Sequence, residues 1–359
     1  MRSLKIAHVL GSLEVGGAEV VVRHLGACQV RDGHDVTVYT IFGGGELEAR
    51  YRAAGIKVVI GTQKTALRRL VDLFNSFRTA KPDVVHCHNI AATLTAAVAA
   101  RLAGSARVVT TWHSGRVGDS RQGMKYAIAC WFCDSVVTVS DAARRVLLSL
   151  RLMPHGRISM VHNGVDPIAV PPGAAGATAD KTLRIIQVGR LAPPKDPITL
   201  LRAFAIVLRS LPESRLCLLG DGPLRAQCED AARQLGIDSS VEFAGEQRDV
   251  APYLRKSNLF VLSSQSEGLP IAILEALSAG LPCVTTNVGG LAEVVTPTVG
   301  LMVPPGEADQ MAQAILMIAT DTQCLQNAGE SIAAIFRSNW SADAMARKYG
   351  RLYSGSPAA

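Results

Sequence analysis

The feature that most constrains this chain is an alternation that runs from Lys5 almost to its last residues. A short, nearly continuous run of valine, isoleucine and leucine is followed by a longer stretch with helical spacing, and then by the next short run. Runs without polar alternation suit strands covered on both faces, and intervening helices supply both the cover and the crossover that parallel strands need. The pattern predicts an α/β chain of parallel sheets. In the first half the strands are predicted at residues 5–10, 35–40, 57–60, 84–88, 107–112, 135–139 and 158–162. Residues 167–181 (PIAVPPGAAGATADK) then bring three prolines and two glycines with little periodicity, which reads as a linker. The pattern restarts with strands at 183–188, 216–220, 241–244, 259–262, 283–285 and 300–303.

The 359 residues fit two doubly wound domains at about 150 residues each. The expected layout is a first domain at 1–166, the linker at 167–181, a second domain at 182–338 and a tail helix within 339–355, opened by Ser341 and able to pack on either domain. With 48% hydrophobic and 19% charged residues, disorder is excluded as the main state. No apolar run approaches the roughly 18 to 20 residues of a membrane span, and the short apolar start, soon met by Glu14 and Glu19, reads as a strand rather than a signal peptide. Scattered cysteines, with Cys87, Cys217 and Cys283 in strand-like runs, fit a reducing cytoplasm. Charge is uneven: residues 1–172 hold 21 Lys+Arg and 12 Asp+Glu, while the rest of the chain is slightly acidic. The basic residues are dispersed and aromatics are few, so nucleic acid is not the expected partner; an anionic membrane face or a phosphorylated acceptor fits better.

Open parallel sheets bind ligands at the carboxyl ends of their strands, which directs attention to the strand-to-helix loops. After the first strand comes GSLEVGGAE, whose Gly16 and Gly17 let a backbone approach a phosphate at a helix start. Its spacing is not that of the dinucleotide fingerprint, and a tight turn needing glycine explains it equally well. In the second half SEGLPIAILEA follows a strand and opens a helix, with Pro270 suited to its first turn and the amides of Leu269, Ile271 and Ala272 placed for a diphosphate. Glu267 in this loop and Glu275 in the helix would lie about 12 Å apart along a helix axis. That is too far for the roughly 5 to 9.5 Å of a glycosidase pair, and it suits a pair that binds two parts of one ligand. Gly189, Arg190 and Lys195 lie in the loop VGRLAPPK, where two cations can neutralise a leaving diphosphate. His113 follows the strand RVVTTW in a loop position, although a satisfied polar histidine is the plain alternative. The spacing of Cys130 and Cys133, and the triplet His86, Cys87 and His88, are read as packing rather than a metal site, with His86 and His88 sharing one strand face. The chain has no Asp-x-Asp, no P-loop and no G-x-S-x-G elbow.

Taken together, GGAE near the start, TWHS at 111–114, VHNGVD at 161–166, VGRLAPPKDP at 188–197, LLGDGP at 218–223 and EGLPIAILEALSAGLP at 267–282 resemble the retaining GT-B glycosyltransferases of the glycosyltransferase 4 type. The resemblance covers nearly the whole chain. It implies two Rossmann-like domains facing across a cleft, a tail helix returning to the first domain, and a nucleotide-sugar donor held mostly by the second domain. It assigns the ribose to Glu275 and the donor sugar to Glu267, with Gly268 between Glu267 and the helix-start amides. The diphosphate goes to Arg190 and Lys195 beside Gly189, with Gly17 and the adjoining Gly16 approaching it from the first domain. His113 is placed near the sugar. It implies transfer of a hexosyl or N-acetylhexosaminyl unit with retention, with UDP the commonest donor base. Front-face displacement by orientation and charge stabilisation is the mechanism that fits. No cofactor and no metal are expected, the nucleotide sugar being substrate.

The acceptor is read from two basic amphipathic stretches. One carries Lys64, Arg68 and Arg69 beside Leu67, Leu70, Val71 and Phe74; the other carries Arg144 and Arg145. Each also reads as a core-packed helix with a solvated face. With the basic first half they favour a cytoplasmic enzyme, peripheral on the inner face of the cell membrane, that acts on a lipid-linked or polysaccharide acceptor. A nucleotide-sugar epimerase or hydrolase on the same architecture, or a non-catalytic nucleotide-sugar-binding protein, are the alternatives.

Overall fold

The computed structural model describes residues 2–105, 107–113, 120–149, 155–169, 182–320 and 322–355. The chain forms two compact units: Met1–Val165 with Ala342–Ala359, and Asp166–Ser341. Most of the expected linker, together with Ser114 and Gly115 after His113, lies outside the described residues.

Unit 1 is a seven-stranded sheet of β1 (Lys5–Leu10), β2 (Asp35–Thr40), β3 (Lys57–Val59), β4 (Val84–His88), β5 (Arg107–Trp112), β6 (Ser135–Thr138) and β7 (Ile158–Met160), in the order β3-β2-β1-β4-β5-β6-β7. Unit 2 is a six-stranded sheet of β8 (Arg184–Val188), β9 (Arg215–Leu219), β10 (Val241–Gly245), β11 (Leu259–Leu262), β12 (Cys283–Thr286) and β13 (Gly300–Val303), in the order β10-β9-β8-β11-β12-β13. Strand pairing within both sheets is parallel. In each unit the chain reverses its direction of winding beside its first strand, between β1 and β4 and between β8 and β11. The loops leaving those four strands are therefore where such a sheet holds a ligand.

The apolar runs do what two-sided burial requires. Ala7, Val9, Val85 and Cys87 pack under the helices Ala66–Ala80 and Asn89–Leu102, and the fully buried Ala96, Ala97, Ala99 and Ala100 let the second helix come close to the sheet. In unit 2, Phe204, Leu216, Leu218, Leu259, Val261 and Ile315 share one cluster. Each such side chain contributes about 1.5–3 kcal/mol when buried.

The tail helix spans Ala342–Tyr353 and packs on the first helix, Gly17–Arg31, so it completes unit 1. Arg31 pairs with Asp343, and the Gln29 side-chain amide donates to the Tyr353 hydroxyl at 3.3 Å. Residue 339 ends the preceding helix instead of opening this one.

The basic stretches are partly tied down by their neighbours. The helix Ala66–Ala80 buries Leu73 and Phe77, with Leu70 and Phe74 partly covered, while Leu67 and Val71 are exposed. Arg69 does not project freely: it donates to the carbonyls of Gln63 and Lys64 and lies 4.6 Å from the centre of the Phe42 ring. Arg144 and Arg145 both pair with Asp141. Lys64, Arg68 and Arg145 remain exposed.

Candidate functional site

In unit 2 the loops after β8 and β11 leave adjacent strands, and hydrogen bonds join them. The Ser263 hydroxyl donates to the carbonyl of Asp196 at 2.8 Å, the Gln265 side-chain amide donates to the Asp196 carboxylate at 2.6 Å, and the Gln265 backbone N–H donates to the Pro194 carbonyl at 2.8 Å. Asp196 sits in the left-handed region at φ 45, where an aspartate's short polar side chain helps hold it: its carboxylate accepts from the amide and the hydroxyl of Thr199 and caps the helix Pro197–Ser210. This turn aims the residue before it. The Lys195 ammonium donates to Glu267 Oε1 at 2.6 Å, and the Ser264 hydroxyl donates to the same oxygen at 2.6 Å. The pair is largely shielded, with side-chain exposures of 21% and 10%, so its attraction is weakly screened. Gly189, at φ 154, leaves room for the lysine stem, since a Cβ there would meet Lys195 Cε at 3.3 Å.

The loop carrying Glu267 is fixed from its other side by residues that sequence reasoning missed. The Gly290 amide donates to the Gly268 carbonyl at 2.7 Å, and a Cβ on Gly289 would sit 1.9 Å from the Glu267 carbonyl oxygen. The adjacent glycines after an apolar strand were the available signal. Pro270 is extended, and the helix Ile271–Ser278 begins after it, one residue later than expected. Of the three amides expected at its start, only Ile271 and Ala272 therefore stand in the first turn, where no intrahelical acceptor exists; Leu269 is a buried residue ahead of the proline. Glu275 is half-buried in that helix. Arg190 is exposed and pairs with no described residue. A cavity of about 770 Å³ lies at the opposite, amino ends of β8–β10, and none of its lining residues belongs to these loops.

In unit 1, Gly16 caps the helix Gly17–Arg31 with extended backbone. The Glu19 carboxylate folds back over Gly16 and accepts from its own amide; burial raises its pKa above the usual carboxylate value. The helix start is thus partly occupied by a side chain of the chain itself, which corrects the expectation of open amides. Gly45 packs directly on the Leu13–Glu14 backbone, and the Leu13 amide donates to the Gly44 carbonyl at 3.1 Å.

His113 follows β5. Its Nε2 lies 3.1 Å from His88 Nδ1, while its own Nδ1 is buried without a hydrogen-bond partner among the described residues. Burial pushes its pKa down to about 4, so the ring is neutral at pH 7. His86 and His88 share a face of β4, as strand alternation requires, and the parallel register sets His8 of β1 beside His86. His8, His86 and His88 are a possible nitrogen ligand set. All six ring nitrogens, however, already lie in hydrogen bonds, to one another, Gln29, Tyr353, Thr111 and His113. No lone pair is left for a metal without breaking that network. Cys130 and Cys133 are buried in apolar clusters, and burial raises both thiol pKa values, that of Cys133 to about 12.

The profile described as Glycosyltransferase Family 4 matches residues 15–168, and that described as Glycosyl transferases group 1 matches residues 174–333. The chain is a two-domain glycosyltransferase. It is 26% identical over 274 residues to an Escherichia coli UDP-Gal:alpha-D-GlcNAc-diphosphoundecaprenol alpha-1,3-galactosyltransferase, covering 71% of each chain. It is 29% identical over 317 residues to a subunit of the Arabidopsis thaliana phosphatidylinositol N-acetylglucosaminyltransferase, covering 84% of this chain and 70% of that one. Among solved structures, Anabaena HepE in complex with UDP superposes with a TM-score of 0.86 at 20% identity, covering 98% of this chain and 100% of HepE. WaaG, a glycosyltransferase involved in lipopolysaccharide biosynthesis, gives 0.74 at 18% identity with the same coverage. These likenesses establish the GT-B fold. Within this glycosyltransferase, structure brings together Lys195 and Glu267 from distant motifs, leaves Arg190 unpaired among the described residues, and adds Ser264, Gly289 and Gly290 to the loops around them.

Proposed function

We propose that this glycosyltransferase transfers a hexosyl or N-acetylhexosaminyl unit, with retention and without a divalent metal, from a nucleoside diphosphate sugar to a lipid-linked or saccharide acceptor. UDP is the favoured donor nucleotide. The observation that carries the reading is the Lys195–Glu267 pair at the carboxyl ends of β8 and β11, with Arg190 exposed in the same loop and a helix start following Glu267. An ammonium has three donors, and Glu267 takes one, so the others are available to a diphosphate oxygen. Glu267 in turn presents its second oxygen, Oε2, to a sugar hydroxyl. Arg190 supplies a second cation, and the Ile271 and Ala272 amides add partial positive charge. Together these groups stabilise the negative charge that develops on the departing diphosphate, which is the task a metal ion performs elsewhere. Glu275, about one turn into the helix, is assigned to the ribose.

The same reading places the enzyme in the cytoplasm, peripheral to the membrane. Among the described residues no helix is long and apolar enough to cross a bilayer. Unit 1 exposes Leu67 and Val71 beside Lys64 and Arg68, and elsewhere Met124, Ile128 and Trp131 at helical spacing.

The test is binding and turnover across a panel of UDP-, GDP- and ADP-sugars. Glu275→Ala is expected to weaken nucleotide binding at least tenfold by calorimetry, and Lys195→Ala to cut turnover about 100-fold or more, with activity persisting in EDTA. Unaltered binding and turnover in both variants, or loss in EDTA restored by Mg²⁺ or Mn²⁺, would overturn the respective parts.

A further inference from the structure

His113 ends a buried line of imidazoles that the assignments above do not use. Gln29 Oε1 lies 2.8 Å from His8 Nε2, His8 Nδ1 lies 3.0 Å from His88 Nε2, and His88 Nδ1 lies 3.1 Å from His113 Nε2. His8 and His88 are 0% and 1% exposed, and no carboxylate belongs to the line. We infer that this chain fixes the ring tautomer of His113, with the proton on Nε2 and a bare Nδ1, so that His113 meets its ligand only as a hydrogen-bond acceptor for a hydroxyl group.

The direction of every bond is set at Gln29. Its NH₂ donates to the Tyr353 hydroxyl, which turns its carbonyl oxygen toward His8. A carbonyl only accepts, so His8 carries its proton on Nε2. A neutral imidazole has a single N–H, so His8 Nδ1 is a lone pair and His88 Nε2 must be the donor. The same step repeats: His88 Nδ1 is a lone pair, His113 Nε2 donates to it, and His113 Nδ1 is left bare. All rings must be neutral for this to hold, and burial lowers the pKa of His8 and His113 to about 4 and that of His88 well below its ordinary value.

Turning the Gln29 amide over would reverse every bond in the line. It would then end on a buried Nδ1–H donor with no described acceptor. Gln29, His8 and His88 are therefore positioning residues, and the C-terminal helix takes part because Tyr353 holds the Gln29 amide. The identity of the ligand hydroxyl as one on a sugar rests on the transferase reading; the tautomer does not.

The experiment is a long-range ¹H–¹⁵N correlation spectrum of the full chain labelled with [¹⁵N]histidine, with His113 assigned by His113→Asn. We expect a protonated Nε2 and an unprotonated Nδ1, unchanged from pH 6 to 8. Gln29→Met, which removes the anchor, should give mixed or reversed tautomers and lower turnover about tenfold, with UDP affinity unchanged. Protonated Nδ1 in the wild type overturns the inference, as does an unaltered His113 spectrum in Gln29→Met. The spectra need no donor, so the lock is decided even if the transferase reading fails.

Discussion

Replacing Gly289 with alanine separates two ways in which a glycine can matter. The residue has φ +56, where an added Cβ costs about 1–2 kcal/mol. Its Cβ would also stand 1.9 Å from the Glu267 carbonyl oxygen, whereas real Cβ contacts essentially never fall under 3.0 Å, so one of the two loops must give by about 1 Å. The neighbouring bond from Gly290 to Gly268 makes the Glu267 loop the partner that moves with it. Gly236 is the control: it has φ +68 and nothing within 4 Å of its Cβ position. Gly236→Ala should lower stability by the same roughly 1–2 kcal/mol, a fall in Tm of about 2–8 °C, and leave turnover at the wild-type level. Gly289→Ala should show at least that loss together with a fall in kcat/KM of about 100-fold, the effect expected when a positioning group shifts by an ångström. Differential scanning fluorimetry and initial rates on the active donor measure both. Wild-type kcat/KM in Gly289→Ala would refute the claim that this glycine holds Glu267 in place.

Two further outcomes follow from groups described above. His8 and His113 titrate near pH 4 when folded and near 6.5 when unfolded. Between those values the unfolded chain binds more protons, so stability falls as pH drops from 6.5 toward 4, by up to about 1.4 kcal/mol per pH unit for each histidine; an unchanged urea midpoint between pH 7 and 5.5 would contradict the neutral, buried network. If unit 1 docks on anionic lipid, binding to phosphatidylserine vesicles should exceed binding to neutral ones and fade with salt. Lys64→Glu with Arg68→Glu should then weaken it by roughly 1 kcal/mol or more per residue, and equal sedimentation with both vesicle types at low salt would dispose of the docking.

The sheets were legible because their signal is local. Every strand in both units falls within two residues of its apolar run, from Lys5–Leu10 to Gly300–Val303, since burial on both faces writes itself into consecutive residues. The loops of the site were legible as motifs, and Lys195 with Glu267 stood out for their residue types. What the sequence concealed is relational. Nothing near His8 announces that parallel register will set it against His86, and nothing near Gln29 or Tyr353 announces that they meet across more than 300 positions of sequence. Leu67 and Val71 show the same limit: helical spacing identifies a stripe, but the neighbouring sheet decides which edge of it is covered, and here that edge is Leu73 and Phe77, which leaves Leu67 and Val71 exposed.

The return of Ala342–Tyr353 to unit 1 has a consequence for the chain's birth. Residues 1–165 leave the ribosome first, yet the helix that supplies Tyr349 and Tyr353 follows only after all of Asp166–Ser341 has been made. At roughly 5–20 residues per second that interval is on the order of 10–35 seconds. Throughout it, His86 and Thr111 lack their tyrosine partners and the first helix lacks its neighbour. The second half of the polypeptide can complete its own sheet in that time without waiting for any other segment. Biogenesis is therefore expected to invert the order of the sequence, with the later-made sheet reaching its native packing before the earlier-made one is sealed.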